Sequence, residues 1–554
     1  MTRGSERPLE QLQQAEQLMA EGKVDAACPL IDALEGVDSL PPDAQLTWQL
    51  LKSQLLITRG EWEASRQLAK AVLQASQERG KPLHAVDASI VLAETLGRLE
   101  KYEESLEAIV WGEELLATLS GEQSAALNRR QASLIHFRGR LCFLQGDLNQ
   151  ALEHFQQSLG MRQALGLKHD IAVSVLNIGA VHSSNSNFDL ALEYTQQALN
   201  SFQEIGNKFR SAWCLANIGY VYYFKGDLEQ GLKAFQQRQA LCEKIGNRMC
   251  IAVSQYFICA IFRLKGDLDR AMKCIEQALP IFEEVGTKNW IAEALRERGQ
   301  IYQQRGSLKQ ALAQFEQSLA LFKELGANYD IVRTLCDLVS VALDQGALSQ
   351  AQHYLQRLQQ VSNHVKNKKV SQQARLAEAL VLKASPRIRD KARAQEIFQQ
   401  VTKEEIVVYW LTEFAMLHLC ELLLDELKAY GNPKVFQEAK ALVHRLYELA
   451  QTHYSFWLVV DALILQAKFA LIEGNFAAAS NFLDQGLLTA EEKGFQLLAD
   501  KVSAERRHLN EQYETWLHII QSNAPFQERL AHTRLIEYIK AAQKVVDIGF
   551  GNER

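Results

Sequence analysis

Glycine recurs along this 554-residue chain at a fixed interval, and this periodicity constrains the fold more than any other feature. One series has a spacing of 40 residues, interrupted only by Ser186, and comprises Gly146, Gly226, Gly266, Gly306 and Gly346. A second series lies 20 residues behind it and comprises Gly166, Gly206, Gly246, Gly286 and Gly326. Two series with one period indicate a duplicated helix-turn-helix unit, because glycine readily adopts the left-handed backbone that ends a helix. Helical repeats of this kind make binding surfaces more often than catalytic sites.

The composition is that of a folded helical protein without bulk attraction for polyanions. Hydrophobic residues make up 47% and charged residues 23% of the chain, and only nine residues are proline. The net charge of -6 offers no attraction for nucleic acid or an anionic membrane. We therefore expect partners other than nucleic acids and membranes.

The sequence also predicts a cytoplasmic location. It has no apolar run of about 18 residues, and residues 1–12 lack the apolar core of a signal peptide. The nine cysteines are scattered, without a Cys-x-x-Cys pair. We expect free, buried thiols rather than a disulfide or zinc framework.

Each repeat unit contains two stretches with helical spacing of apolar residues, helix A and helix B. Asp227 and Asp267 follow the turn glycine, where a carboxylate can cap helix B. Small residues recur at one phase of each helix, where we expect close helix packing. These are Gly139, Gly179, Gly219, Cys259 and Gly299 in helix A, and Ala151, Ala191, Gly231, Ala271, Ala311 and Ala351 in helix B.

This pattern resembles the tetratricopeptide repeat, with a small residue and an aromatic in helix A, a turn glycine, then alanine and an aromatic in helix B. The unit is longer than the usual ~34 residues. Two short motifs recur in the units, Asn-Ile-Gly at 177–179 and 217–219, and Ile-Gly-Asn at 205–207 and 245–247. With these motifs the repeat is similar to the Leu-Gly-Asn-type repeats of spindle-orientation scaffolds and to many prokaryotic tetratricopeptide proteins. The resemblance implies an all-α fold, a right-handed α-solenoid (superhelix) of about ten tetratricopeptide-like helix-turn-helix repeats with terminal caps.

The regularity of the period predicts the domain organisation. Residues 130–369 form the regular array, flanked by divergent tetratricopeptide-like helical repeats over 1–129 and 370–495. Residues 496–554 are predicted to hold a capping helix over about 496–521 and an amphipathic C-terminal helix over roughly 526–546. The C-terminal helix either packs on the cap, or is mobile and occupies the groove or pairs two chains.

No catalytic motif is present. The chain lacks a Gly-x-x-x-x-Gly-Lys-Ser/Thr phosphate loop, a His-Glu-x-x-His zinc helix and a Gly-x-Ser-x-Gly elbow. His136, His154, His169 and His182 fall in different phases of the repeat, so they indicate no metal site. We expect no enzymatic activity, no cofactor and no metal.

The candidate binding surface follows from the resemblance, because the A helices of tetratricopeptide proteins line the concave side. Aromatics with polar tips, arginines and amides at helix-A positions outside the packing pattern are residue types that interfaces use. The predicted partner-binding residues are Asn177, Trp213, Asn217, Tyr220, Tyr223, Tyr256, Arg263, Arg296, Gln300 and Gln303.

Each group among these residues has a structural alternative. Trp213 and Tyr256 could pack against the neighbouring unit, Arg263 and Arg296 could pair with glutamates of an adjacent helix, and the asparagines could bridge helices. In related repeats the asparagine at this phase contacts the ligand backbone. Here its equivalents in other units are Phe137, Phe257, Glu297 and Asp337, which favours a short site over 170–305.

The expected function is that of a scaffold or adaptor that binds a peptide or helix of a partner protein in the concave groove. The alternative is a sensory or regulatory repeat protein, switched by a peptide or by its own C-terminal helix. A third interpretation is a repeat protein that works with an enzyme on another chain. Self-association through the C-terminal helix stays open.

Overall fold

The computed structural model describes residues 3–37, 40–99, 101–119, 124–185, 187–365, 367–404, 409–452, 455–493, 495–522, 524 and 526–543. Every regular element in these ranges is an α-helix. The all-α prediction is confirmed, and consecutive helices pack as hairpins, as in a tetratricopeptide solenoid.

Twenty-eight helices lie within the described ranges. In chain order they are α1 (Arg3–Ala20), α2 (Val24–Asp32), α3 (Pro42–Arg59), α4 (Trp62–Glu78), α5 (Pro82–Arg98), α6 (Tyr102–Thr118), α7 (Ala125–Leu144), α8 (Leu148–Ala164), α9 (Lys168–Ser184), α10 (Phe188–Ile205), α11 (Lys208–Phe224), α12 (Leu228–Ile245), α13 (Arg248–Leu264), α14 (Leu268–Val285), α15 (Lys288–Gln304), α16 (Leu308–Glu324), α17 (Asn328–Asp344), α18 (Leu348–Ser362), α19 (Lys368–Lys383), α20 (Ile388–Lys403), α21 (Tyr409–Tyr430), α22 (Pro433–Thr452), α23 (Phe456–Ile472), α24 (Phe476–Glu492), α25 (Gln496–Glu511), α26 (Tyr513–Gln521), α27 (Phe526–His532) and α28 (Leu535–Gln543). The odd-numbered members of α1–α24 are A helices and the even-numbered ones are B helices.

The chain divides into two compact units. Unit 1 comprises Met1–Val221 and Lys233–Ser254, and unit 2 comprises Tyr222–Leu232 and Gln255–Asn552. This division does not test the boundaries predicted after residues 129, 369 and 495, which stay predictions.

The turn glycines have the backbone that the sequence predicts. The described members of both series have φ between 65° and 84°, a region that favours glycine; Ser186 lies outside the described residues. The predicted caps also form, because Oδ1 of Asp267 accepts from the backbone N–H of Arg270 at 3.1 Å and Oδ1 of Asp227 from that of Gln230 at 3.3 Å.

Small residues lie where helices A and B approach most closely. A Cβ atom added to Gly299 would lie 2.6 Å from Cε1 of Phe315, and one added to Gly219 would lie 2.8 Å from Cε2 of Phe235. The prediction of close packing at these positions is confirmed.

In unit 1, the asparagines of the Ile-Gly-Asn motif link helix pairs that are distant in sequence. Oδ1 of Asn207 accepts from the backbone N–H of Arg210 at 2.9 Å, while its Nδ2 donates to the carbonyl of Gly22 at 2.8 Å. Nδ2 of Asn247 likewise donates to the carbonyl of Thr58 at 2.6 Å. These bonds bring the start of an A helix against turns roughly five helix pairs earlier in the chain.

The C-terminal prediction of two continuous helices is wrong. Gln512 separates α25 from α26, and Thr533 and Arg534 separate α27 from α28. Arg534 has a φ of 48°, which the backbone of a continuous right-handed helix does not allow. Val546 lies outside the described residues. Helices α1–α24 also make twelve hairpins within the described ranges, rather than about ten.

The expectation that all cysteines are free is wrong for one pair. Cys242, near the end of α12, and Cys250, in the first turn of α13, are joined by a disulfide, with Cα atoms 5.7 Å apart. The short turn between the two helices brings these positions together. Each of the other seven cysteines is a free thiol.

The described residues lack both a membrane-spanning helix and a cluster of metal ligands. None of the described helices is long and apolar enough to cross a membrane. Among the same residues, no three His, Cys, Asp or Glu side chains form a group that could hold a metal ion.

We predict that Gly299→Ala lowers stability by about 1–3 kcal/mol, because its Cβ would overlap the ring of Phe315. The matched control is Gly160→Ala in α8, where an added Cβ meets no atom within 4 Å. We expect this control to raise stability by up to about 1 kcal/mol, through helix propensity alone. Urea unfolding followed by circular dichroism measures both variants. Equal effects of the two substitutions would contradict the packing argument.

Candidate functional site

The predicted partner-binding residues are divided between the two units. Asn177, Trp213, Asn217 and Tyr220 belong to unit 1, whereas Tyr223, Tyr256, Arg263, Arg296, Gln300 and Gln303 belong to unit 2. The structure therefore brings them together as two groups, and their partner-binding role stays a prediction.

In unit 2, the two predicted arginines are buried in ion pairs between neighbouring A helices. Nε of Arg263 donates to Oε1 of Glu297 at 2.6 Å, and Nε of Arg296 donates to Oδ2 of Asp337 at 2.5 Å. Glu297 and Asp337 lie at the phase that Asn177 and Asn217 occupy in other repeats. These arginines thus brace adjacent A helices and already have counter-charges, as one of the sequence alternatives proposed.

Tyr256 belongs to the same buried network. Its hydroxyl donates to Oε2 of Glu293 at 3.3 Å, and Nη1 of Arg333 donates to Oε1 of Glu293 and to Oδ1 of Asp330, each at 3.0 Å. Trp290 packs edge-on against the ring of Tyr256. Burial, followed by the charge of Glu293, raises the pKa of Tyr256 well above its usual value, so this hydroxyl remains protonated.

A cavity of about 740 Å³ in unit 2 is lined by three predicted residues, Arg263, Gln300 and Gln303. Nε2 of Gln303 donates to Oδ2 of Asp344 at 2.7 Å. The cavity wall also includes Lys540 and Gln543 of α28. The C-terminal helix thus borders a cavity that contains part of the predicted groove.

Residues 526–543, the C-terminal segment, lie on the A helices α21 and α23 of unit 2. The Tyr538 hydroxyl donates to Oδ1 of Asp461 at 2.6 Å, and Nε2 of Gln543 donates to Oε2 of Glu421 at 2.9 Å. Ile539 is fully buried. The segment is therefore docked on the A-helix face of this unit.

Unit 1 contains a larger cavity, of about 960 Å³, which we call the unit-1 cavity. Its walls are formed mainly by the A helices α1, α3, α5, α7, α9 and α11. Among the described residues that line it, the cations outnumber the carboxylates by six to four. The cations are Lys81, Arg129, Arg130, Arg140, Arg162 and Arg210, and the carboxylates are Glu16, Asp87, Glu94 and Asp170.

Glu94 lies between two arginines at the wall of this cavity. Its Oε1 accepts from Nη2 of Arg98 at 2.9 Å and from Nη1 of Arg140 at 3.3 Å. Burial alone would raise the pKa of Glu94, but the charges of Arg98, Arg140 and Arg210 hold it at about 2. Burial and the charge of Arg98 lower the pKa of Arg140 to about 10. One carboxylate is thus shared by more than one guanidinium group.

Arg162 and His136 form a second polar group at the cavity. Nη1 of Arg162 donates to Oγ of Ser174 at 2.8 Å and lies 3.3 Å from Nδ1 of His136. Because a guanidinium only donates, this contact favours a neutral imidazole with Nδ1 as the acceptor. Burial, then the charges of Arg162, Arg140 and Arg210, lower the pKa of His136 well below its usual value.

Asn177 and Trp213, two of the predicted residues, touch this polar lining. Nδ2 of Asn177 lies 3.2 Å from Nε2 of His136 and donates to the carbonyl of Val173 at 2.9 Å. The guanidinium of Arg98 lies over the indole of Trp213, 5.0 Å from the ring centroid. Asn217 is half-buried on α11, and the ring of Tyr220 packs edge-on against Phe235.

The family model described as the MalT-like TPR region matches residues 180–498, which is more than half of the chain. The chain belongs to the MalT-like tetratricopeptide repeat family. A second model, described as tetratricopeptide repeat, matches residues 130–204. No curated protein sequence matches the chain.

Several solved structures resemble this MalT-like repeat protein at low identity. A Rap protein complexed with competence and sporulation factor is 12% identical, with a TM-score of 0.43, over 82% of this chain and 99% of that chain. NprR in complex with its cognate peptide NprX is 16% identical, with a TM-score of 0.43, over 63% of this chain and 100% of that chain. A signal transduction ATPase with a tetratricopeptide repeat sensor from Pyrococcus horikoshii is 12% identical, with a TM-score of 0.43, over 60% of this chain and 52% of that chain.

Sequence reasoning missed the cationic lining of the unit-1 cavity in this MalT-like repeat protein. The available signal was the group of arginines in α7, where Arg129, Arg130 and Arg140 fall within one helix. Arg162 and Arg210 are far from this group in the sequence and join it only through the packing of the helices.

We predict that Arg296→Met destabilises the protein by about 3–5 kcal/mol, because the buried carboxylate of Asp337 would lose the two charge-assisted bonds that Arg296 donates to it. The control is Arg298→Met on the same helix, since Arg298 is half-buried and hydrogen-bonded to the amide of Gln314. Chemical denaturation measures the two variants. Wild-type stability of Arg296→Met would show that this guanidinium is not a structural brace and would return it to the binding candidates.

Proposed function

We propose that the chain is a non-enzymatic binding protein that takes a peptide, or a short segment of a partner protein, in the unit-1 cavity. The observation that carries this proposal is the cavity itself, about 960 Å³ between A helices with an excess of cationic side chains. Its volume lies near the upper end of the usual range for ligand pockets, roughly 300–1,000 Å³. A few residues of an extended chain fit such a space, whereas a folded domain does not.

The excess of cations favours an anionic segment. The chain as a whole carries a net charge of -6, so the positive lining is a local property of this cavity. Hydrogen bonds between guanidinium groups and carboxylates are charge-assisted and directional. The donors lie on packed helices, so the receptor loses little conformational entropy when a ligand binds.

We predict that Ser133→Trp weakens the binding of peptides selected on the wild-type protein. Ser133 lies on α7 in the cavity wall, and an indole at this position would fill part of the space that the ligand needs. The matched control is Ser201→Trp on the B helix α10, outside the cavity lining. Peptides are enriched from a random displayed library, and fluorescence anisotropy measures their affinity for each variant.

We expect the enriched peptides to be acidic, to bind the Ser201→Trp protein like wild type, and to lose at least tenfold in affinity for Ser133→Trp, a loss of about 1.4 kcal/mol. Peptides that bind both tryptophan variants equally would contradict a site in this cavity. Failure to enrich any peptide on the folded protein would contradict a peptide ligand.

A second candidate function is regulation by the C-terminal segment, favoured by its docking on α21 and α23. This segment borders the cavity of about 740 Å³ in unit 2, which is lined by Arg263, Gln300 and Gln303 of the predicted groove. A partner that displaced the segment would uncover this face of unit 2. The protein would then act as a switch rather than as a rigid scaffold.

We predict that Ile539→Asp releases the C-terminal segment, because a carboxylate at this fully buried position would be desolvated without a partner. The control is Glu537→Asp on the same helix, which keeps the charge at that position. Hydrogen–deuterium exchange is expected to show faster exchange over residues 535–543 in Ile539→Asp only. Peptides selected on this variant should bind wild type more weakly, and equal affinities would contradict regulation by the segment.

A further inference from the structure

Three arginines lie near the carboxylate of Glu94, and two of them, Arg140 and Arg210, line the unit-1 cavity together with it. Arg98 comes from the end of α5, Arg140 from α7 and Arg210 from the first turn of α11. Arg98 and Arg140 both donate to Oε1 of Glu94, which fixes their positions. We call Arg98, Arg140 and Arg210 the arginine cluster.

The guanidinium of Arg210 makes no hydrogen bond or ion pair within the described part of the chain. Arg210 lines the cavity, and its guanidinium carbon lies 5.9 Å from the ring centroid of Phe209. Burial lowers the pKa of Arg210, while the charge of Glu94 partly opposes this effect. Arginine nevertheless keeps its proton in proteins, so this half-buried charge gains from neutralisation by an anion.

The nearby carboxylates do not supply this neutralisation. Glu94 is already shared by Arg98 and Arg140, and Asp170 lies 3.0 Å from Nδ1 of His169 and 3.4 Å from Nε of Arg129. Two further donors lack acceptors among the described residues, namely Nε of Arg162 in the cavity lining and Nε of Arg98 beside Glu94. Arg162 is itself 4% exposed, so water satisfies little of its hydrogen-bonding capacity.

Half-buried cations that outnumber the nearby carboxylates repel one another, and an anion that joins them relieves this repulsion. We propose that the arginine cluster is a receptor for one oxyanionic group of the ligand, a carboxylate or a phosphate, with Glu94 positioning two of its three arginines. This inference rests on the proposed function, since it names the part of the ligand that the unit-1 cavity recognises. The planar fork of arginine donors matches both of these oxyanions.

The test uses two small anions, sodium acetate as the carboxylate and inorganic phosphate, at constant ionic strength. Thermal unfolding of the full chain is followed at increasing anion concentration. We expect a saturable rise of the midpoint with at least one anion, and the anion that binds more tightly identifies the chemistry of the group. A linear response, or none, with both anions would overturn the proposal.

Arg210→Gln is expected to weaken the binding of that anion at least tenfold, because it removes the cation that has no internal partner. Arg210→Lys, which keeps the charge but loses the fork, should weaken it less. The control is Arg66→Gln on α4, whose guanidinium pairs with Glu63 outside the cavity and whose loss should leave anion binding unchanged.

A purely structural role for Arg210 makes the opposite prediction for the anion-free protein. If Arg210 served the fold, Arg210→Gln would lower the midpoint in anion-free buffer, whereas relief of an uncompensated charge should keep or raise it. A lowered midpoint together with an unchanged anion response would overturn the proposal.

The outcome also separates this inference from the proposed function. Anion binding that depends on Arg210, in a protein that enriches no peptide, would support the oxyanion receptor and contradict the peptide ligand. Peptides that bind in the cavity with equal affinity for wild type and Arg210→Gln would support the proposed function and contradict the receptor.

Discussion

The fold depends on the close approach of helix A and helix B within each hairpin, which small residues make possible. At Gly299 the ring of Phe315 occupies the space of a side chain, and the turn that follows requires the left-handed backbone of Gly306. A hairpin packed this tightly has apolar faces on both sides that it cannot bury alone, so it needs its neighbours. The stacking that results fixes which A-helix positions face the next repeat and which face a cavity.

Polar residues on the A helices either form ion pairs with a neighbouring A helix or line a cavity. In unit 2, Arg263 and Arg296 meet carboxylates on the neighbouring A helix and become part of the buried structure. In unit 1, cations from α7, α8 and α11 converge on a cavity with fewer carboxylates than cations. The same repeat scaffold therefore supports a satisfied network in one unit and an excess of donors in the other. The proposed anionic ligand rests on this second arrangement.

The hairpins could be predicted from the sequence because their signals are local. The turn glycines, the aspartate caps and the small residues report backbone geometry within a few residues of one position. The unit-1 cavity could not be predicted in this way, because its walls depend on contacts such as that between Asn207 and the carbonyl of Gly22, 185 residues apart. The helix break at Arg534 could not be predicted from the sequence for a similar reason. Hydrophobic periodicity continues through it, whereas the carbonyl of Thr533 accepts from Lys468 of α23, 65 residues away.

The period of the array nevertheless carries information about charge pairing that residue type alone does not. Arg296 meets Asp337, 41 residues later, and Arg333 meets Glu293, 40 residues earlier, so a repeat-length offset locates each counter-ion. Arg210 has Asp170 at the same offset, but that carboxylate already lies beside His169 and Arg129. An arginine on an A helix whose repeat-length partner is absent or occupied is Arg210 rather than Arg296, although Arg263 also meets this criterion because its partner Glu297 lies 34 residues later. Under the proposal made for Arg210, the failure of this offset, rather than the presence of an arginine at a groove position, marks the cation that binds the ligand.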